Sequence, residues 1–514
     1  MQLLTVGNVG QYGVNKDRSV HELPPNVWTG ALNVRFRNNA ATPVMGEQQV
    51  MGTPQVVPYH VLPVLVAGVN HWLYAGNTKI YDVTGTTHTN ITRQTAGVDV
   101  DYAANRNGWT STVLGGIPIL NSSLDAPQQW LLTGKCTALS NWPASTTCAV
   151  LRAFKSFLIA LDVTVSGTRY PYLVKWSNRA DPGSVPSSWD DTDPTVDAGK
   201  FDLSEGYDYI IDGLALRDAF LIYKRSSVWR VEETGGVFVF KNSKVLGTSG
   251  ALNRNCIQEI DGQHFVLTNE DVVVHDGFQS QSVLDEVARR ELFEDIDNTY
   301  SDRAFVFKNP AYSEMLVCYP RSGESICNRA LVWNWKTKTV SFRDIPDLNH
   351  AAAGPVTVST AGTWATITGT WATITRRWAN AGTTLDTTRV LMASENTKLL
   401  VADETLTFDG SAISAYVERR GLNMGDTQRR KLLTGITPRI SGTAGETVLV
   451  YIGGANDPYS DPTYQTAITY TIGTTVTAFG FAESRYPAIK FASGTSNDWR
   501  LDSYDIAYNI GGKW

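Results

Sequence analysis

The feature that most constrains this chain is a recurring hairpin. Three or four apolar residues run into a short polar turn, and a second alternating run follows. The pattern reads WLYAGNTKIYDVTG from Trp72, FLIYKRSSVWRVEETGG from Phe220, FVLTNEDVVVHDG from Phe265 and LLVADETLTFDG from Leu399. Looser copies are GIPILNSSLDAPQQW from Gly116, FLIALDVTVSGTRYPYLVKWS from Phe157 and MLVCYPRSGESICNRALVWNW from Met315. Gly, Asn, Asp or Ser in the turns supply the backbone conformations that hairpins need. Such hairpins, commonly about 40–60 residues apart, match the spacing of propeller blades. Each blade needs about four strands, so each hairpin is expected to be a middle pair. The expectation is an all-β chain with a β-propeller of about seven blades, within a range of roughly five to eight. It would span residues 51–410, with residues 1–50 an extended segment that closes or docks the propeller.

Two segments depart from this grammar. Residues 362–375 read GTWATITGTWATIT, a tandem seven-residue unit that spaces Trp364, Trp371 and Trp378 evenly. Thr, Gly and β-branched residues disfavour a coiled coil there. The low-charge stretch 351–388 is expected to be an inserted tip or gate, with these tryptophans, Arg376 and Arg377 lining a channel or meeting a neighbouring subunit. From about residue 411 come TVLVYIGG, QTAITYTIG, YPAIKFASG and WRLDSYDIAYNIGG, strands between Gly, Ser and Asn turns. Residues 411–514 are therefore expected to form a C-terminal β-sandwich. Arg419, Arg420, Arg429, Arg430 and Lys431 cluster at its start, as a phosphate contact, a subunit contact or a solvated face. One helix is expected where Ser282-Val283-Leu284-Asp285 reads as a capping box and Leu284, Val287, Ala288 and Leu292 form a stripe.

Composition narrows the function classes. Apolar residues make up 42% of the 514, enough for a sizeable core, which excludes global disorder. A net charge of -6 excludes a chain-wide basic surface of the kind that coats nucleic acid. Five cysteines without a CxxC fit free thiols from a reducing cytoplasm. No apolar run is long enough to span a bilayer, and no signal peptide or membrane anchor is expected. Searches for chemistry find no GxSxG, HExxH or GxxxxGK[ST]. His264 and His275 flank one hairpin without a metal motif. Asp191, Asp193 and Asp197 fall at EF-hand-like positions, but Val196 stands where the loop needs Gly, so turn formation is favoured over calcium. No enzyme activity, catalytic residue, metal or cofactor is expected.

Several blocks together resemble the tail nozzle proteins of short-tailed bacteriophages, also called tail tubular or packaged-DNA stabilisation proteins. They are ELPPNVWTGALNVRFRNNAATPVMG at residues 22–46, FKSFLIALDV, YPYLVKWSNRADPGSVPSSWDDTDPTVDAG, and IDGLALRDAFLIYKRSSVWRVEETGGVFVF. DGQHFVLTNEDVVVHDG, ALVWNW, the tandem Trp repeat and the closing WRLDSYDIAYNIGG follow in the family's order. The resemblance implies a virion protein that forms a homo-hexameric ring below the portal and its adaptor. Such a ring extends the tail tube, retains packaged DNA and conducts it at ejection. Implied partners are the tail adaptor, tail fibre or tailspike, needle or tip proteins, and double-stranded DNA passing without sequence specificity. The implied location is the virion tail, assembled in the host bacterial cytoplasm. The alternative from the residues is a carbohydrate-binding or glycan-cleaving propeller, motivated by many aromatics on a β scaffold.

Overall fold

The computed structural model describes residues 1–66, 68–206, 208–236, 238–356, 387–493 and 498–513. The repeated tryptophans, Arg376 and Arg377 lie outside these residues, as does most of the inserted 351–388 stretch.

Five successive four-stranded antiparallel sheets form blades one to five. Their innermost strands are His60–Val66, Thr110–Leu114, Thr146–Phe154, Ile210–Leu216 and Ile257–Ile260. A seven-stranded sheet supplies two more blades. It divides at the 17-residue strand Val340–Val356. The first half of that strand pairs with Cys327–Asn334 as the outer strand of blade six, whose innermost strand is Phe305–Asn309. Its second half pairs with Thr387–Ser394 and becomes the inner strand of blade seven. The outer strand of blade seven is Gly46–Gln49, from near the start of the chain. The ring is thus closed by sequence-distant pairing. Trp72 of blade one reinforces the seam by donating its indole N–H to the Pro355 carbonyl of blade seven at 3.0 Å. The fold is a seven-bladed β-propeller joined to a β-sandwich.

The hairpins land where the pattern places them. Those from Trp72, Gly116, Phe157, Phe220, Phe265 and Met315 are the middle pairs of blades one to six. The run at Leu399 differs. Lys398–Thr405 is a middle strand, but its outward partner is Gly46–Gln49 rather than the residues after its turn. The expected helix is shorter than its stripe. Ser282 Oγ accepts the N–H of Asp285 at 3.0 Å as a cap should. Glu286 then turns to φ 57° and breaks the run, so the α-helix covers only Arg289–Asp295. Leu284, Ala288 and Leu292 are still buried together.

The sandwich pairs two six-stranded sheets. It takes strands from both ends of the described chain. Gln2–Val6 and Ala40–Pro43 both pair along one edge of Trp499–Lys513, and Gly30–Leu32 pairs with Tyr416–Arg419. Residues 1–50 therefore divide, the earlier strands building the sandwich and only Gly46–Gln49 closing the propeller. Trp28, Phe36, Ile436, Val450, Phe491, Trp499 and Tyr504 fill the shared core. Trp28 Nε1 donates to the Val9 carbonyl, which satisfies its one polar group.

An ionic cluster joins the two parts. Arg35 of the sandwich donates twice to Glu314 of blade six, at 2.5 and 2.9 Å, and reaches Asp403 at 3.2 Å. Arg343 donates to Asp403 at 3.0 Å and to Glu47 at 2.6 Å. All five side chains are buried. Burial pushes the Glu47 carboxyl up to about 7, against the pull of Arg343. Burial would also raise Asp403, but Arg343 and Arg35 outweigh it and hold that carboxyl below its usual range. Two cations thus face three carboxylates, and Glu47 is the member that sheds the excess charge.

Candidate functional site

The innermost strands of all seven blades converge on the propeller axis, and the axis is plugged. Arg152 of blade three donates to both oxygens of Asp212 of blade four, at 3.0 and 2.8 Å. It also reaches Asn255 Oδ1 of blade five at 3.2 Å and the Ser111 carbonyl of blade two at 3.1 Å. His60 of blade one shares a 2.7 Å hydrogen bond with Ser111 Oγ and stacks on His350 of blade seven, centroids 4.1 Å apart. Phe305 of blade six also stacks on His350, centroids 6.0 Å apart. Burial, then the Arg152 charge, pushes His350 down to about 3. Burial, His350 and Arg152 hold His60 well below its usual range. Both rings are neutral, so the plug is a hydrogen-bonded polar layer in which the charge of Arg152 is paired with Asp212.

A chamber of about 290 Å³ lies on one side of the plug, lined by Pro63, Leu214, Gln258, Lys308 and Ala352 among others. On the other side, where the chain passes into the innermost strands, lies a wider basin of about 730 Å³. Its wall carries Arg106, Arg169, Arg225, Arg254 and Arg303 against Asp162 and Asp302. Asp162 holds Arg169 through two hydrogen bonds, at 2.8 and 2.6 Å. Glu395 holds Arg106. Asp162 and Asn255 both adopt left-handed backbone, at φ 54° and 61°. Asp162 sits where the register of its strand shifts, an irregularity that re-aims side chains.

The residues singled out from sequence take other roles. Arg419 is buried and donates to the carbonyls of Val20 and Leu23, so it ties the N-terminal segment to the sandwich instead of meeting phosphate. Lys431 is also buried, with its ammonium on the Asp426 and Arg485 carbonyls. Arg420 pairs with Glu418 and Asp461, Arg429 with Asp426, and Arg430 with Glu483. Of the cluster, Arg420, Arg429 and Arg430 face outward, each beside a carboxylate. Asp191 is held by Lys175 and Lys200, which keeps it at about 2 despite partial burial. Asp193 closes a turn on Thr195, and Asp197 pairs with Arg179. The acidic stretch is used up in turns and ion pairs, and no cluster able to hold a metal ion occurs among the described residues. His264 and His275 meet through the Tyr223 hydroxyl, at 2.6 and 2.7 Å, inside the blade four–five contact. The axial residues and Arg254 escaped sequence reading. Their common signal is position: each stands on an innermost strand or just before one, one or two per blade.

No protein family matches the chain, and no curated protein does. Solved structures do. The extracellular domain of a one-component system from B. thetaiotaomicron matches at 6% identity and TM-score 0.40, covering 92% of this chain and 65% of its own. The Cps50 (Swd1) β-propeller domain of Myceliophteria thermophila matches at 6% and 0.39, covering 71% and 100%. An ancestral GH74 enzyme matches at 11% and 0.38, covering 73% and 50%. The chain thus spans about two thirds and half of the first and last of these proteins. At these identities the likeness concerns the fold alone.

Proposed function

We propose that this chain is a structural subunit of a phage tail, the nozzle protein of a short-tailed virion. The observation that carries the reading is an apolar face left open on the sandwich. Strand register sets Leu3, Ala507, Gly435 and Phe479 in one row across four strands. Leu3 is 61% exposed, Phe479 75% and nearby Phe481 69%. Large aromatics standing on a floor of small residues are the make-up of an interface, not of a free surface. A ring is a head-to-tail contact that closes, and it needs two different, mutually complementary β surfaces on each copy rather than a pocket; this face supplies one of them. The ordered sequence blocks described above support the same reading. The plugged axis adds a constraint: a conduit built from this protein runs between copies, not through one propeller. In this reading the ring is a hexamer that docks on the adaptor, bears fibre and tip proteins, and passes DNA without reading its sequence. The protein then acts in the virion tail, after assembly in the host cytoplasm, and has no catalytic role.

The test is assembly. Purified protein, alone or with its adaptor, is expected to form a six-fold ring with an axial channel by cryo-electron microscopy and native mass spectrometry. The pair Phe479→Glu and Phe481→Glu is expected to leave a folded monomer. Wild-type protein that stays monomeric and never enters tail particles would refute the reading.

A second reading, a carbohydrate-binding propeller, is favoured by the arginine-lined basin. Glycan arrays of host surface polysaccharide test this reading independently of the assembly experiment, because sugar binding and ring formation use different surfaces.

A further inference from the structure

The basin carries a charge its own protein does not neutralise. The chain as a whole is acidic, at -6, yet this concavity is lined by five arginines and two aspartates. Two of the arginines are held, Arg169 by Asp162 and Arg106 by Glu395. Among the described residues, Arg225, Arg254 and Arg303 have no carboxylate at ion-pair distance. Arg225 donates to the Tyr209 hydroxyl at 3.3 Å, and Arg303 donates to the Ser325 carbonyl. Arg254 has least: one bond of 3.5 Å to the Gly108 carbonyl. The carboxylates that act on it, Asp162 and Asp212, are each already gripped by another arginine through two bonds. Burial lowers the proton affinity of Arg254, but a guanidinium stays charged. A partly buried, under-bonded cation is costly alone, and an incoming oxyanion relieves that cost.

The remaining wall is suited to hydroxyl groups. Asn105, Asn107, Asn253, Ser123 and Ser301 give neutral donors and acceptors around the arginines. The volume, about 730 Å³, suits a small molecule or one end of a chain, in the usual range of ligand pockets. A nucleic-acid strand is a poorer fit, because among the described residues Tyr209 is the one aromatic on the wall and stacking needs a series of such faces. We propose that this basin binds an anionic saccharide, a sugar bearing a carboxylate or phosphate, with that group on Arg254 and assisted by Arg225 and Arg303. The proposal does not rest on the ring reading. It gives the second reading a site and a ligand class.

The experiment is titration of the full chain by calorimetry and ligand-observed NMR. The probes are glucuronic acid, glucose 6-phosphate, glucose, inorganic phosphate and a short single-stranded oligonucleotide. Acidic sugars are expected to bind at least about tenfold tighter than glucose. Arg254→Gln is expected to weaken them about 10- to 100-fold, and Arg225→Ala by a smaller factor. Arg500→Gln, on the sandwich and outside the basin, serves as the unchanged control. Should Arg254→Gln unfold, Arg254→Lys replaces it, because it keeps the charge and loses the paired geometry. Four results overturn the proposal: no binding of either acidic sugar; binding that ignores Arg254; inorganic phosphate equal to the sugar phosphate; or preference for the oligonucleotide. The second leaves a glycan-binding propeller standing while removing this site. None of them bears on ring formation.

Discussion

Glu47→Gln tests the charge arithmetic of the buried junction. Arg35 and Arg343 supply two positive charges, and Glu47, Glu314 and Asp403 supply three carboxyls. Glu47 is the odd one, and its Oε2 has no hydrogen-bond partner. Its carboxyl is raised by burial from 4.5 to about 7. The sign follows from linkage. Below pH 4.5 the group is neutral in both folded and unfolded chain and contributes nothing. As pH rises toward 7 the unfolded chain ionises first, and folding must hold the proton or bury a charge. A shift of this size lowers stability by about 3 kcal/mol across that window. Gln keeps the shape and an oxygen for Arg343 but cannot ionise. Urea unfolding followed by tryptophan fluorescence, at pH 5.5 and 8.5, reads the difference. The variant is expected to gain on wild type by about 2 kcal/mol on going from pH 5.5 to 8.5, the rest of the loss having already occurred by pH 5.5; this is an upper figure because the site is coupled. Every other titrating group is common to both proteins and cancels. If the two proteins keep the same difference at both pH values, the arithmetic is wrong and Glu47 is an ordinary ionised partner. If the variant loses stability at pH 8.5, the Glu47–Arg343 attraction outweighs burial and the assignment of the excess charge fails.

Further predictions follow from other parts of the molecule. His264 and His275 are pushed down by burial to about 4, and His350 to about 3. These residues stay neutral when folded but charge when unfolded below pH 6.5, so each removes on the order of 1 kcal/mol per pH unit as pH falls from 6.5 toward 4. NMR titration of the imidazoles should find them unprotonated at pH 5.5. Asp212→Ala leaves Arg152 uncompensated on the axis and should cost about 3–5 kcal/mol, whereas Asp212→Asn keeps acceptor geometry and should cost less. Phe491→Ala, which opens the sandwich core beside Trp28 and Tyr504, should cost about 3–5 kcal/mol by denaturant unfolding, against about 0.5 or less for Arg500→Gln.

The sequence made the local part of this fold legible. A hairpin needs only a turn and two alternating runs, so the pairs from Trp72 to Met315 are readable within about 20 residues each. The Leu399 run shows the limit. Its turn and alternation look like the others, yet its outward partner is Gly46–Gln49. No local pattern encodes a partner so distant. Gln2–Val6 and Gly30–Leu32 were hidden for the same reason. The basic cluster misled because a run of arginines reads as surface. Arg419 is instead drawn inside by the Val20 and Leu23 carbonyls, which lie some 400 positions earlier. The axial layer was illegible because each blade lends it a single residue. His60, Ser111, Arg152, Asp212, Asn255 and His350 form no motif along the chain and become a set only when the ring closes.

The two-ended construction of the sandwich has a consequence for timing. Leu4 stands opposite Ile506, so the strand that begins the described chain has no partner until Trp499–Lys513 exists. Synthesis at about 5–20 residues per second separates the two by roughly 25–100 s. Blades one to six pair entirely within themselves and are free to close during that interval. Pairing over such sequence separation is slow to form, and the sandwich is expected to be the last part to fold. The apolar row that runs from Leu3 to Phe479 is assembled from both ends of this span. A truncated or unfinished chain therefore has no complete sticky face to offer. Association is reserved for molecules that have already passed the test of folding.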